Sequence, residues 1–468
     1  MLRSNITTSV IWSVGSRFSG KIIDFFTLLI LARVLSPSDF GLVAIAVSFI
    51  AVFETILEIP TTQVLLRIKV ISKDFLDTAF TLNVIKGAFL SVILISISLP
   101  ISKVYEDQRL CNLILWLSIA PISRSLYSPG IVLFMKRLSF REIFATEFIG
   151  KLSASIISVA LLAYGSGYWS IAVATIVSPL ITTLSSFMIA PYRPRISLSK
   201  MGDFSSFIGW FSLSQAISAV NWQFDRMILG AYINKTLLGQ FTMASDLAVL
   251  PTQSLIGPAM RPVMASLSIV VDDKFALGKT FKRYLLLTMM AAIPVGVGMS
   301  VNADLIVLTL LGSKWVDVAP LLSWLSLIIV PYAYFQPIST LAVLLNKPSY
   351  IFYYSFCEII LKSFLVPLAI YYDGISGLLV GRSIISFAML LVSSIILKKL
   401  MPIGLLSQLK NVLSLIMSSM LMIVGVLIVR SRLESYGFSS LSDLFISSLV
   451  GCLVYFSSLY VFRIKNSL

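Results

Sequence analysis

The chain has 468 residues, of which 57% are apolar and only 12% charged, with a mean hydropathy of +0.95. A soluble domain carries about twice that share of charge, so a cytosolic enzyme, a nucleic-acid binder and a disulfide scaffold are all excluded. The formal net charge of +15 belongs instead in the loops of a membrane protein, and the absence of histidine removes imidazole from any metal site, triad or proton relay.

At about 33 residues per helix and loop, this length holds about fourteen spans of ~20 apolar residues each. In chain order, the apolar runs predict helices over 8–34, 41–65, 76–100, 110–134, 143–164, 169–190 and 205–231. The series continues with 239–266, 284–311, 318–345, 349–371, 375–397, 409–430 and 441–462. The first run is interrupted by Arg17, Lys21 and Asp24 and runs too long for a cleavable signal, so it reads as the first span. The runs also lack the alternation of barrel strands, and the fold class expected is an all-α polytopic membrane protein. Cys111, Cys357 and Cys452 lie far apart in apolar stretches and read as small buried hydrophobes.

Orientation follows from the loops. With the N-terminus inside, the inner loops hold twenty Lys and Arg, among them Arg67, Lys136, Arg193, Lys200 and Lys279. The outer loops hold seven, among them Lys103, Arg109, Lys235 and Lys314. That bias places both termini in the cytoplasm. The link around Pro191–Ser205 joins two prolines to Arg193, Arg195 and Lys200, a composition suited to a strap on anionic headgroups.

Nine basic residues remain within the spans: Arg17, Lys21, Lys86, Arg124, Lys151, Arg226, Arg261, Lys362 and Arg382. Asp24, Glu54, Glu58, Glu147, Asp225, Asp246 and Glu358 accompany them. A charge at mid-membrane costs about 2.5–3.5 kcal/mol even on the lenient insertion scale, so these residues must line a wet cavity, pair, or snorkel from helix ends. Ser13, Arg17, Lys21 and Asp24 share one helix face by their 4-4-3 spacing; Glu54, Glu58 and Thr61 share another, with Pro60 loosening the helix between them. Glu147–Lys151 and Glu358–Lys362 stand in the favourable acid-before-base order, which suits either structural pairs or a cavity wall. Arg17 and Lys21, one turn apart with only Asp24 near them, point to a site for an anion. Pro251, Pro258 and Pro262 mark hinges in the eighth span.

A repeat is also visible. Leu31–Gly41 (LARVLSPSDFG) and Leu229–Gly239 (LGAYINKTLLG) each follow the first helix of a six-helix set. The two acid–base pairs occupy the fifth helix of each set. Six helices per unit restores orientation, so the expected organisation is two parallel six-helix bundles, 1–195 and 196–400, with two further helices over 401–468. Gly278-Lys279-Thr280 mimics the end of a phosphate loop, but Asp273 replaces the required glycine and no strand precedes it.

LSPSDFG after the first helix, GSGYWSIAVA at the fifth-to-sixth turn, LLGSKWVDVAPLLSWLS after the ninth and LLNKP at the end of the tenth resemble the Wzx-type oligosaccharide flippases. That superfamily also includes the MATE exporters and MurJ-type lipid II flippases. The resemblance spans about residues 1–400. It implies movement of undecaprenyl-pyrophosphate-linked repeat units across the bacterial inner membrane for exopolysaccharide or lipopolysaccharide, with no catalytic group and no cofactor. It further implies membrane lipids, Na+ or H+, and a polysaccharide polymerase and co-polymerase as partners. In MurJ-like proteins an extra helix pair borders a lipid-accommodating groove. The residues expected at the headgroup are Arg17, Lys21, Asp24, Lys86, Arg124, Lys151, Arg226, Arg261 and Lys362, and those for ion coupling are Asp24, Glu54 and Glu58. Two other readings stay open: a small-molecule or cation antiporter of the same fold, which needs an acid-dominated cavity, and a membrane polymerase or ligase, which needs a sizeable outer loop.

Overall fold

The computed structural model describes the backbone of residues 2–68, 70–137, 139–205, 210–401, 405–436 and 439–461. Side chains are described there except at 2–14, 16–18, 205, 210–215, 253, 255, 257–259, 261–262, 265, 405–412 and 434–436. Every regular element among these residues is helical. Nine helical stretches in them are long and apolar enough to cross a bilayer, and this is a multi-pass membrane protein. One of the nine, Ser349–Leu400, is two helices joined at Asp373 and Gly374, where the backbone leaves helical geometry and Gly374 takes φ 51°.

The chain divides into two compact units, residues 1–238 and 239–468. The first opens with α1 (Leu2–Val34) and α2 (Pro37–Ile56). The LSPSDFG stretch is the start signal of α2. Ser36 Oγ accepts the Asp39 N–H at 3.2 Å, the Asp39 carboxylate accepts the Ser36 N–H at 3.1 Å, and Pro37 sits where no N–H is needed. The helix stops at Ile56, and α3 (Thr61–Arg67) resumes after Pro60, whose ring and missing N–H forbid continuation. Next come α4 (Lys73–Val104), α5 (Gln108–Leu117), α6 (Ile119–Ser125) and α7 (Ile131–Lys136). The span expected as one helix over 110–134 is therefore three short pieces, broken at Ser118 and at the Ser128-Pro129-Gly130 turn. The freed backbone groups find hydroxyl partners on neighbouring helices. Ser91 Oγ donates to the Ser118 carbonyl at 2.6 Å, Thr183 Oγ1 to that of Ser123 at 2.6 Å, and the Ser128 N–H donates to Ser186 Oγ at 3.0 Å. Broken helix is tolerated at membrane depth on this condition.

α8 (Phe140–Ala163) and α9 (Trp169–Ile189) pack closely because Gly150 has no side chain. A Cβ there would lie 1.9 Å from Thr182 Oγ1. α4 shows the membrane pattern plainly. Ser91, Ser98 and Ser102 are buried, whereas Phe89, Val92, Ile95 and Leu99 are exposed, small and polar inward, bulky and apolar outward.

The segment after α9 crosses the start of α4. Tyr192 donates its hydroxyl to the buried Asp77 carboxylate, the Ser197 N–H reaches Thr81 Oγ1 at 2.9 Å, and the Lys200 N–H reaches Thr78 Oγ1 at 3.3 Å. Beneath it Phe204, from α10 (Met201–Ser205), packs with Val64, Leu65, Leu76 and Val132. The link read as a strap is thus fastened to protein along its length, with Arg193 and Arg195 exposed. α11 (Trp210–Tyr232) lies against α2. Ser48 Oγ donates to Gln223 Oε1 at 3.1 Å, and Tyr105 donates to the Met227 carbonyl at 2.7 Å. Lys235, which begins α12 (Lys235–Ile269), pairs with Asp107.

α12 runs on as helix through Pro251, Pro258 and Pro262. The second unit continues with α13 (Lys274–Val301), α14 (Ala303–Leu310), α15 (Val318–Ile328), α16 (Val330–Leu344), α17 (the broken Ser349–Leu400), α18 (Leu405–Tyr436) and α19 (Ser440–Val461). The span expected over 284–311 breaks at Asn302, which caps α13. Ser447 of α19 donates to Asn302 Oδ1 at 3.0 Å, Tyr455 to the Met290 carbonyl at 3.2 Å, and Arg430 of α18 to the Val301 carbonyl at 2.7 Å. Both trailing helices are therefore fastened to the α13–α14 corner. The cysteine reading needs correction: Cys111 is buried, but Cys357 is half-buried and Cys452 is exposed on α19, because an apolar stretch here faces lipid as often as core.

Candidate functional site: a charged cavity in the first unit

Six of the charged residues picked out from the sequence converge on one cavity of about 1080 Å3 in the first unit, walled by α1, α2, α3, α4, α6, α8 and α9. Asp24, Glu54, Glu58, Lys86, Arg124 and Lys151 all line it. The six come from five helices and one break. Asp24 is on α1, Glu54 on α2, Glu58 in the α2–α3 gap, Lys86 on α4, Arg124 on α6 and Lys151 on α8. Their formal charges sum to zero.

Pairing runs between helices. Arg124 binds the Glu54 carboxylate and Lys151 binds that of Asp24. Lys151 reaches α1 because Gly20 leaves room: its stem lies over that glycine, and its Nζ is 3.5 Å from the Gly20 carbonyl oxygen. Both pairs are open, with side chains 46% and 24% exposed for Arg124 and Glu54, and 34% and 60% for Lys151 and Asp24. Pairs this wet contribute about 0–1 kcal/mol each, so they can be opened. Lys86 and Glu58 have no ion-pair partner among the described residues.

Neutral groups complete the wall. Thr27 and Ser155 share a hydrogen bond of 2.6 Å, Thr61 and Asn83 one of 3.3 Å, and Thr175, Ser178 and Thr182 face the cavity from α9. Sequence reading had Thr61 and Ser155 on the polar faces of their helices but passed over Thr27, Asn83 and the hydroxyls of α9. Their signal was present in the spacing: Ile171, Thr175, Ser178 and Thr182 recur every three or four residues along one face of α9.

The other candidates lie elsewhere. Lys21 is half-buried on α1 but outside the cavity wall, and Arg226 on α11 is also outside it. The side chains of Arg17 and Arg261 are outside the described residues. Lys362 is in the second unit, where Glu358 Oε1 accepts from its Nζ at 2.9 Å and from the Tyr332 hydroxyl at 3.1 Å. The side chains of Lys362 and Glu358 are 3% and 9% exposed, a sealed pair quite unlike those of the cavity. This is the expected i,i+4 pair. In the first unit, Lys151 is instead drawn to Asp24 on another helix.

The residues 30–320 match the model of a family described as polysaccharide biosynthesis protein, well over half the chain. The chain belongs to that family. The Wzx-type resemblance read in the sequence holds at the level of relatives. This family member is 23% identical over 337 residues to the succinoglycan biosynthesis transport protein ExoT of Rhizobium meliloti (strain 1021), covering 71% of this chain and 68% of that one. It is also 23% identical over 348 residues to the lipopolysaccharide biosynthesis protein WzxC of Escherichia coli (strain K12), covering 73% and 70%. Among solved structures, its fold is similar to an inward closed conformation of the lipid II flippase MurJ, with a TM-score of 0.76 at 16% identity over 98% of this chain and 99% of that one. An inward-facing multidrug resistance MATE transporter gives 0.61 at 13% identity over 84% and 95%. At these identities the structural likeness establishes the fold.

Proposed function

We propose that this protein is a flippase that moves undecaprenyl-pyrophosphate-linked oligosaccharide repeat units across the bacterial inner membrane by alternating access, for surface or exopolysaccharide. The observation that carries this reading is the charged cavity inside a bundle whose outer faces are apolar. A diphosphate with sugars cannot enter hydrocarbon, while its lipid tail need not leave it. A wet cavity lined with Lys86, Arg124 and Lys151 gives the phosphates forked and point-charge donors, and the hydroxyl face of α9 suits sugars. No bond is broken, so no catalytic group is required. Outward movement of a headgroup of about −2 is helped by a negative-inside potential, by about 2.3 kcal/mol per charge per 100 mV.

Within this proposal the chain has fourteen spans, as parallel six-helix repeats over 1–195 and 196–400 plus a pair over 401–468, with both termini cytoplasmic. Arg17 and Lys21 guide the headgroup on the strength of sequence alone, and Asp24, Glu54 and Glu58 are the groups available for Na+ or H+ coupling. The deciding experiment is Lys86→Gln in the native host. Having no ionic partner among the described residues, Lys86 can be neutralised without orphaning an acid. Glycan export should fall at least tenfold, lipid-linked glycan should accumulate, and protein level and thermal stability should stay near wild type. Normal export with normal expression refutes the placement of the headgroup in this cavity.

A further inference from the structure

We infer that Asp24 and Glu54 are internal stand-ins for the substrate's phosphates. They hold Lys151 and Arg124 in the empty protein, and a lipid diphosphate displaces them, whereas the same lipid with a single phosphate does not displace both. The inference rests on the flippase reading and adds to it the competition that the headgroup must win.

Three observations carry it. First, two of the three cations on the wall are already occupied, each by a carboxylate from a different helix: Lys151 of α8 by Asp24 of α1, Arg124 of α6 by Glu54 of α2. An incoming anion meets these carboxylates as competitors. Second, the competitors are built to yield. All four side chains are between 24% and 60% exposed, against 3% and 9% for Lys362 and Glu358 in the second unit. A pair that held the fold together would be sealed in the way that one is. A carboxylate released into a wet cavity stays hydrated, so letting go costs little. Third, Lys86 on the same wall has no ionic partner among the described residues, so it is a ready first contact for a phosphate oxygen.

The consequence is binding by exchange. A single phosphate that reaches Lys86 has little left with which to displace two carboxylates on different helices. A diphosphate carries more charge and more acceptor oxygens, and bidentate Arg–phosphate contacts replace what Glu54 gave up. The built-in competitors take back part of that gain, so the headgroup is bound by exchange and can be released. A carrier of this kind ignores the lipid once its second phosphate and sugars are gone.

The test uses the purified full-length protein in detergent, with farnesyl diphosphate and farnesyl monophosphate as probes and binding measured at fixed salt. Wild type should favour the diphosphate. Glu54→Gln and Asp24→Asn should each tighten diphosphate binding about two- to fivefold, the range set by the loss of one exposed ion pair, and monophosphate binding by no more than that, so that the preference is kept or widened. Glu58→Gln removes a partnerless acid from the same wall and reports repulsion alone, so its gain should be smaller. In an Arg124→Gln background Glu54→Gln should give no further gain beyond that of Glu58→Gln, because the cation it masks is gone. Equal gains in all three acid variants, or an undiminished gain without Arg124, overturn the inference in favour of simple repulsion. Weaker binding in Glu54→Gln or Asp24→Asn overturns it in favour of acids that hold the ligand. If wild type and every variant bind neither probe, the flippase reading itself falls and takes this inference with it.

Discussion

The Glu358–Lys362 pair allows a quantitative test of how charge is tolerated in the second unit. Lys362→Met keeps the length of the side chain and removes the ammonium, leaving a carboxylate that is 9% exposed with the Tyr332 hydroxyl at 3.1 Å as its remaining donor of the two described here. Breaking a buried pair by removing one partner costs about 3–5 kcal/mol; the surviving Tyr332 bond places the cost near the lower end, about 3 kcal/mol. For a unit of this size that lowers the thermal midpoint in detergent by about 6–12 °C. The double variant Glu358→Gln with Lys362→Met removes both charges and leaves Tyr332 an amide oxygen to bind, so it should recover most of that loss. Differential scanning fluorimetry of the purified variants reads both. A single variant as stable as wild type refutes the claim that the pair is sealed, and a double variant no better than the single refutes the claim that the orphaned charge is the cause. Loss of glycan export in the double variant at full stability would instead place Lys362 at the headgroup, as the sequence reading had it.

The turn before α5 should show a distinct pH response. Burial raises the Asp107 carboxyl, but hydrogen bonds from Arg109 and Lys235 outweigh it and hold the group well below the usual carboxylate range. With the folded value depressed, its contribution is complete above about pH 4 and is lost as pH falls further. Asp107→Asn should therefore cost about 1–3 kcal/mol at neutral pH and flatten the acid limb of the stability profile; a difference from wild type that is the same at pH 3 and pH 7 refutes this. At the strap, Tyr192→Phe takes a donor from buried Asp77, at a cost of about 1.5–3 kcal/mol. Trypsin should then cut after Arg195 at least tenfold faster in inside-out vesicles, the Arg193–Pro194 bond being resistant to it, and an unchanged rate would mean that the Ser197 and Lys200 backbone bonds suffice.

How much of this was legible in the sequence depends on the range of the forces involved. Helix class and apolar faces are local, set by periodicity within a few residues, and were readable. So was the i,i+4 pair Glu358–Lys362, because one helix turn fixes the distance. The start of α2 at Ser36–Asp39 is just as local, but the helix was expected from 41 because apolar runs mark the core of a helix and not its cap. The stop before Pro60 was read only in part: the proline was expected to loosen one helix over 41–65, whereas the helix ends at Ile56 and resumes at Thr61. The partner of Lys151 was not: Glu147 is its neighbour along the helix, but Gly20 lets the ammonium cross to Asp24 on α1, and nothing in the sequence around either residue announces that approach. The three-piece form of 108–136 was missed because its apolar run continues across the breaks, and only the hydroxyls of Ser91, Thr183 and Ser186 on distant helices make the breaks affordable. Lys21 was judged by helix face alone, and a face three or four residues wide does not fix whether a side chain reaches the cavity.

The broken helices and the charged residues coincide in the first unit, and one physical demand accounts for both. A backbone carbonyl freed by a break and a charged side chain at mid-membrane each need water or a polar neighbour, so a wet cavity satisfies both together. Pro60 ends the α2 path within two residues of Glu58 and six of Glu54, and Pro121 opens α6 three residues before Arg124. The proline that interrupts the helix and the charge that needs the gap lie within two turns of each other on both helices. In the second unit the charged pair sits within a helix that stays regular from Ser349 until the break near Asp373, and there the charges are neutralised side by side and sealed. A wall of exchangeable pairs and short helices suits a headgroup that must enter and leave. A sealed pair in a continuous helix suits a part that keeps its shape, so under the proposed mechanism headgroup selection falls to the first unit.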